Sequence, residues 1–370
     1  MGLEAFLLFL SGAFGPNRGV LEGPAFDTRK AELGSLFDPQ TRHRVEQDSR
    51  AITPKLSPAQ GWIFEWLTVG YFQKGESQLQ RRFRIFSQAR LDQDDLEIPV
   101  GRLVSRLHDY NLHALRRDLN EGDILSDLNT VDIYLCFGGD PGAEWRPGQE
   151  PGPNNSVLNV NVIYIYQLES LTKPIDRLRE VAHEFGHATL PALRGYTEPE
   201  AYVNGDIGER IYLRWIRKGL AEGRIDAGDV MNVSMADLDT YLERRVEPLE
   251  AALAADGPDP EALRLRGRAA FNQATAAGLI AERINPRLLL RSMDVSAANP
   301  DPAFFMQAVA TEASLLPSWD FTRPPHIKGD TVWLPIGSSR IVGGRILQRR
   351  LGWARVAMEG DSLQVFAAAP

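Results

Sequence analysis

The hydrophobic pattern in the first half of the chain predicts a mixture of strands and helices. Apolar residues recur at helical spacing over 96–119, which predicts a helix there. Three shorter runs rich in β-branched and aromatic residues, at 82–86, 131–137 and 156–166, are typical of strands. The preceding segment, 16–60, is rich in glycine, proline and charge, and this composition predicts an extended lead-in with little regular structure.

Helical periodicity dominates the second half of the chain. Pro174 opens one helix, since proline is favoured in a first helical turn. A second helix is predicted from Thr197, because Thr197 and Glu200 have the spacing of a capping box. Residues 234–316 are predicted to be helical, with two turns rich in proline and aspartate. The remaining tail alternates short apolar runs with glycine pairs, which indicates a small β-rich region.

The composition narrows the classes of function. The chain has 370 residues, a net charge of −8 and 43% hydrophobic residues, which favours a globular protein over one whose main partner is a nucleic acid. Its single cysteine, Cys136, excludes an intrachain disulfide and an all-cysteine zinc site. No run beyond the N-terminus approaches the ~18–20 apolar residues of a membrane-spanning helix, so no membrane span is expected.

The segment HEFGH at 183–187, in the helix opened by Pro174, has the residue types and the spacing of a metal-binding motif. His183 and His187 are four residues apart, so a helix brings both rings to one face, within reach of one ion. Glu184 lies roughly 100° further around the axis, where it is able to contact a water on that ion without being a ligand. A zinc ion with three protein ligands and a water is a hydrolytic centre, so Zn2+ is the predicted metal and Glu184 the predicted general base.

The surrounding helix supports this interpretation. Its apolar residues form one arc and its histidines and glutamates form the opposite arc, as expected for a helix that packs on one side and lines a cleft on the other. The apolar arc contains Ile175, Leu178, Val181, Ala182 and Phe185, and the polar arc contains Glu180, His183, Glu184 and His187. An amphipathic surface helix with two solvated histidines is the alternative.

A third ligand is expected from the acidic segment that follows. Glu209 is the first choice, because on a helical wheel it lies among apolar neighbours, and a lone buried carboxylate is costly unless a partner such as zinc binds it. Asp206, at the edge of the same face, is the second choice as a ligand or as an acceptor for a ligand imidazole. Glu200 is the last choice, because the capping box gives it a structural role. Cys136 is a further alternative, although a buried structural thiol is the simpler interpretation.

With these residues, 80–225 resembles the catalytic domain of gluzincins, the zinc peptidases that include thermolysin and related aminopeptidases. The resemblance rests on the order strand, helix, strands, HExxH helix and second acidic helix. It implies an α+β fold with a zincin-like catalytic domain, a small sheet plus the HExxH helix and a second ligand helix. It also implies that the strand at 158–166 is an edge strand that binds extended substrate; a core strand is the alternative.

The resemblance is incomplete. The Asp that follows the ligand by four residues in thermolysin-like helices is Leu213 here, and the Gly-Ala-Met-Glu-Asn element of aminopeptidases is missing. The metzincin pattern fails, because Leu190 and Leu193 stand where it requires Gly and His. No residue is assigned as the electrophile that assists the transition state. The candidates are Tyr164, Tyr166, Tyr196, Tyr202 and His326.

The sequence therefore predicts a zinc-dependent metallohydrolase, a peptidase acting on peptide or protein substrates. A non-catalytic zinc-stabilised binding or scaffold protein, or a pseudo-peptidase, is the alternative function, and the oligomeric state stays open. The apolar run near the N-terminus favours export to the periplasm or outside the cell, with the cytoplasm as the alternative. The predicted organisation is a signal-peptide remnant (1–15), the lead-in (16–60), the zincin-like domain (61–230), a helical region (231–318) and a β-rich region (319–370).

Overall fold

The computed structural model describes residues 18–21, 42–52, 64–72, 80–88, 96–117, 131–136, 142–151 and 157–368. This part of the chain combines helices and sheets, so the predicted α+β class is confirmed. Two compact units are present, Met1–Thr189 with Trp215–Met235 and Leu190–Arg214 with Ala236–Pro370. No helix within the described ranges is both long and apolar enough to cross a bilayer. The apolar N-terminal run on which the export prediction depends lies outside them.

The first unit contains one sheet, which has seven strands among the described residues. In chain order these are β1 (Arg18–Leu21), β2 (Arg42–Ile52), β3 (Phe64–Phe72), β4 (Gln80–Gln88), β5 (Val131–Cys136), β6 (Gly142–Pro151) and β7 (Val157–Tyr166). Their spatial order is β1-β2-β3-β4-β5-β7-β6. Strands β4, β5 and β7 run parallel, and β6 returns antiparallel to β7.

Three of these strands correct the sequence prediction. Strands β1 and β2 lie in the lead-in that was expected to have little regular structure, and β6 occupies a segment for which no strand was predicted. Each of the three is an antiparallel partner of a neighbouring strand. Backbone ladders of this kind depend on pairing with distant residues, which a local hydrophobic pattern does not reveal.

The position of β7 corrects a second expectation. The resemblance implied that this strand is an edge strand, but β7 lies between β5 and β6, with hydrogen-bonded partners on both sides. The end of the sheet order is therefore β6, for the part of the chain that the structure describes. Any extended chain that pairs with this end of the sheet would pair with β6 rather than with β7.

Two helices of the first unit follow the predicted pattern. Helix α1 (Glu97–Tyr110) continues into a π-helical turn at Asn111–Leu115, and helix α2 (Pro174–Thr189) carries HEFGH. The apolar arc of α2 is buried as predicted, and the ring of Phe185 packs 5.6 Å from that of Phe83 on β4. Apolar packing against the sheet therefore fixes which side of α2 presents its histidines.

Helices dominate residues 204–314, which belong to the second unit except for Trp215–Met235. In chain order the helices after α2 are α3 (Asn204–Ala221), α4 (Met235–Tyr241), α5 (Glu247–Asp256), α6 (Pro260–Leu265), α7 (Arg268–Ile284), α8 (Pro286–Ala297) and α9 (Pro302–Ser314). The first of them begins seven residues after Thr197, so the predicted start of that helix is wrong. The prediction of helices over 234–316 is confirmed.

The C-terminal strands form two small sheets with a shared core. They are β8 (Ser318–Thr322), β9 (Thr331–Leu334), β10 (Arg340–Val342), β11 (Gly344–Arg350), β12 (Trp353–Met358) and β13 (Ser362–Phe366). The sheet orders are β10-β13-β8 and β11-β12-β9. Alternating residues such as Trp319, Val356 and Val365 are buried together, as the period of two in a half-buried strand requires. The β-rich tail is thus confirmed.

A buried carboxylate, Glu250 on α5, joins the helices to this β region. Arg214 donates to it at 2.9 Å, Arg283 donates at 2.8 Å, and His326 Nε2 lies 3.0 Å from its Oε2. Burial alone would raise the pKa of Glu250, but the hydrogen bond with His326 and the charges of Arg214 and Arg283 hold it well below its usual value. Glu250 is therefore ionised in the folded protein at neutral pH.

Replacing Glu250 by glutamine is expected to lower the free energy of unfolding by about 1.5–3 kcal/mol at pH 7, because it weakens the charge-assisted hydrogen bonds that the buried carboxylate accepts from Arg214 and Arg283. Since the folded-state pKa is depressed, the stabilisation is complete above the unfolded-state value of about 4.3 and is lost as pH falls further. Urea unfolding of both proteins between pH 3 and 7 measures this. The exposed Glu261, paired with Arg264, gives the control Glu261→Gln, which should not change stability; an equal loss in both variants would contradict the assignment.

Candidate metal centre

The two histidines of HEFGH lie side by side on α2. Their Nε2 atoms are 3.1 Å apart, and their ring planes meet at 79°. Two nitrogen ligands bound at about 2.0–2.1 Å to a tetrahedral ion would be about 3.3 Å apart. The separation of His183 Nε2 and His187 Nε2 is therefore close to what one zinc ion requires, and the pair fits the predicted metal without a change of helix geometry.

Burial distinguishes this helix from an ordinary surface helix. Glu184 is 5% exposed and His187 is 7% exposed, while His183 is half-buried. A helix with two solvated histidines would not withdraw an acid and an imidazole from water, because burial of ionisable groups is costly unless they are paired. The predicted general base and one predicted ligand are thus both within the protein interior.

The C-terminal end of α2 is held by a set of hydrogen bonds. The Thr189 hydroxyl donates to the Phe185 carbonyl at 2.7 Å and accepts from Asn111 Nδ2 at 3.0 Å. Arg117 Nε donates to the Thr189 carbonyl at 3.1 Å. Since helix ends leave carbonyls without internal partners, these contacts keep the last turn, which contains His187, regular. No local pattern around α2 predicts this support, because it comes from residues that follow α1.

A second support of His187 comes from the sheet. The indole ring of Trp145, on β6, stacks on the imidazole of His187, with centroids 6.0 Å apart and planes 13° from parallel. The indole N–H donates to Asn161 Oδ1 on β7, and Asn161 Nδ2 donates to the Ala188 carbonyl at 2.6 Å. Sequence reasoning missed Trp145 because no strand was predicted at β6. It also missed Asn161, although the alternation of Asn159 and Asn161 with apolar residues in the predicted strand was an available signal.

Glu200, the last choice for a third ligand, does not lie in the first turn of a helix as the sequence predicted. Thr197 does not cap a helix: its amide and hydroxyl both donate to the Arg266 carbonyl, at 2.8 and 3.2 Å. Glu200 lies before α3, in a non-helical segment that includes a bridge between Arg194 and Tyr202. It is half-buried. The capping role that placed Glu200 last is therefore wrong, and Glu200 is a stronger candidate than the sequence suggested.

Asp206, in the first turn of α3, is already bound by two groups. Thr275 Oγ1 donates to its Oδ2 at 2.6 Å, and Arg210 donates to its Oδ1. Burial lowers the pKa of Arg210. The combined charges of Asp206, Tyr241 and Glu209 raise this pKa by more than burial lowers it, so the guanidinium stays charged. With both carboxylate oxygens hydrogen-bonded, one of them to a cation, Asp206 is the weakest of the three candidate ligands.

Glu209 is buried, as the helical wheel predicted. It is 5% exposed, and the Tyr241 hydroxyl donates to its Oε1 at 2.8 Å. A hydrogen bond of this kind orients a carboxylate that binds a metal ion. Tyr241 is a residue that the sequence did not single out, because it lies 32 positions further along the chain.

Other candidates from the sequence have ordinary structural roles. Cys136 is buried, and burial followed by the charge of Glu144 raises the pKa of its thiol to about 12, which disfavours the thiolate that a metal needs. The Tyr166 hydroxyl donates to Glu144 at 2.8 Å, and His326 belongs to the Glu250 network. Burial and then Asp301 raise the pKa of Tyr196, whose ring packs on Phe271.

The candidate site residues are two adjacent imidazoles and a buried glutamate on α2, and three carboxylates in the segment that follows α2. Imidazole and carboxylate ligands together suit zinc and other first-row divalent ions. Comparison with known proteins adds no family to this description, since no protein-family model, no curated protein and no solved structure matches the chain.

Proposed function

We propose that the protein is a zinc-dependent metallohydrolase, a peptidase with a zincin-like catalytic domain of gluzincin type. The observation that carries this proposal is the pair formed by His183 and His187, whose Nε2 atoms are 3.1 Å apart on one helix. Glu184, which lies between them in the sequence and is buried, is a candidate general base. A purely structural zinc site does not need such a group. Structural zinc sites are also closed by four protein ligands, whereas a catalytic site keeps one position for water.

One carboxylate completes the proposed ligand set. Among the residues that the structure describes, two sets of side chains offer three ligand atoms to one ion: His183 with His187 and Glu200, and His183 with Asp206 and Glu209. The first set favours Glu200, because it includes both histidines, whereas the second set lacks His187. The hydrogen bond from Tyr241 and the regular helix around Glu209 favour Glu209, which remains the predicted ligand.

In the proposed reaction the protein's own groups bind the substrate and move the proton. The metal, when bound, lowers the pKa of a water to about 7 and polarises the scissile carbonyl. The Glu184 carboxylate accepts a proton from the attacking water and delivers it to the leaving amine, so the bond that breaks is the peptide C–N bond. Strand β6, at the end of the sheet order, is the strand whose backbone would pair with an extended peptide.

The metal proposal is tested by zinc analysis of the purified protein. The parent is expected to hold one zinc per chain, and the double variant His183→Ala, His187→Ala is expected to hold none, because a single carboxylate does not retain zinc. The control is His113→Ala, which removes a histidine outside HEFGH. Equal zinc in the parent and the double variant would refute the assignment. Zinc binding by the parent without cleavage of any member of a peptide library would favour the non-catalytic scaffold instead.

A further inference from the structure

We propose that Trp145 is a positioning residue for the metal ligand His187, and that it raises the affinity of the site for a divalent cation. This inference rests on the proposed zinc site and adds to it a residue from a different element, the strand β6. The near-parallel stack of the two rings, 13° apart in plane, is the observation that carries it.

The indole is held in place by one asparagine that uses both ends of its amide. Asn161 Oδ1 accepts from the indole N–H of Trp145, and Asn161 Nδ2 donates to the carbonyl of Ala188, the residue that follows His187. The reversed amide would set donor against donor and acceptor against acceptor, so the network fixes its orientation. The indole is therefore tied to the backbone of the same helical turn that carries His187.

This arrangement restricts the imidazole of His187. The two rings are near-parallel with their centroids 6.0 Å apart, which is an offset stack, and rotation of the imidazole about its own bond would break it. The stack therefore favours the orientation in which His187 Nε2 is directed at His183 Nε2, 3.1 Å away. A ligand held in its bound orientation loses less conformational entropy when the ion binds. Trp145 thus acts through His187, without touching the ion itself.

The charge distribution of the rings adds to this effect. An imidazole bound to a divalent cation carries partial positive charge, and the face of an indole is its electron-rich side. The stack is consequently stronger when the cation is bound than when the imidazole is neutral and free. Removal of groups that support metal ligands commonly weakens metal affinity by about 10–100-fold, and an effect of about tenfold is expected for Trp145.

The experiment uses Co²⁺ as the probe and compares the parent with Trp145→Leu and Trp145→Phe. Competition with a chelator should show about tenfold weaker Co²⁺ binding in Trp145→Leu, with most of the affinity restored in Trp145→Phe, which keeps an aromatic face. Thermal unfolding of the metal-free proteins separates this effect from a loss of folding. Co²⁺ should also quench tryptophan emission in the parent, with the same midpoint as its visible absorption.

A matched control for the fluorescence is Trp319→Phe, which removes a buried tryptophan of the C-terminal β region. The quenching should persist in Trp319→Phe and be weaker in Trp145→Phe. Co²⁺ affinity in Trp145→Leu within about twofold of the parent, or unchanged quenching in Trp145→Phe, would overturn the positioning role and leave the metal site intact. Absence of Co²⁺ binding in the parent itself would instead refute the proposed site, and the inference with it.

Discussion

Glu184→Gln is expected to reduce peptide hydrolysis by about 10²–10⁴-fold while the zinc content stays at one per chain. Glutamine has nearly the shape of glutamate, so the packing around this 5% exposed side chain is preserved. It lacks a carboxylate that accepts a proton, and the attacking water then keeps the proton that must move to the leaving amine. The loss should appear in kcat rather than in the affinity for substrate, since the proton transfer belongs to the transition state.

The control for this prediction is Glu180→Gln. Glu180 lies one turn earlier on the polar arc of α2 and is half-buried, so the substitution changes the same charge on the same face of the helix. It should retain hydrolysis close to that of the parent. Full activity in Glu184→Gln on every peptide that the parent cleaves would contradict the general-base role, and so would a parallel loss of zinc and activity.

The part of the site that the sequence predicted is the part that depends on local periodicity. Helix α2, its apolar arc and the adjacency of His183 and His187 follow from a repeat of 3.6 residues and a proline in the first turn, and all three are present. The burial of Glu209 also follows from the helical wheel, because α3 is regular around that position. Properties set within a few turns of one helix can be derived without knowledge of its partners.

Contacts between distant residues could not be predicted in this way. Thr197 and Glu200 have the spacing of a capping box, but the hydroxyl of Thr197 is bound by the carbonyl of Arg266, which competes with any local cap. Strand β6 forms because its backbone pairs with β7, and its own glycines and prolines suggest a loop. The stack of Trp145 on His187 depends on that pairing. Because the strand was not predicted, the contact of Trp145 with His187 was not predicted either.

The largest effect on metal binding is expected from the third ligand. Glu209→Gln should weaken zinc binding by more than about 100-fold, beyond the range for residues that only support ligands. Asp206→Asn should weaken it only slightly, because both oxygens of Asp206 are already bound, by Arg210 and by Thr275. Glutamine and asparagine keep the size and shape of each side chain, and competition with a chelator measures the zinc affinity of each variant.

The decisive comparison is between Glu209→Gln and Glu200→Gln. Glu209 is fixed by a regular helix and by the hydroxyl of Tyr241, whereas Glu200 lies in a non-helical segment. A ligand on a rigid element loses less entropy on binding, so Glu200→Gln should weaken zinc binding by only a few-fold. Tyr241→Phe extends the argument: it removes the hydroxyl that orients Glu209, and about tenfold weaker zinc binding is expected. If the two glutamate variants instead show the reverse order and Tyr241→Phe binds zinc like the parent, the third ligand is Glu200.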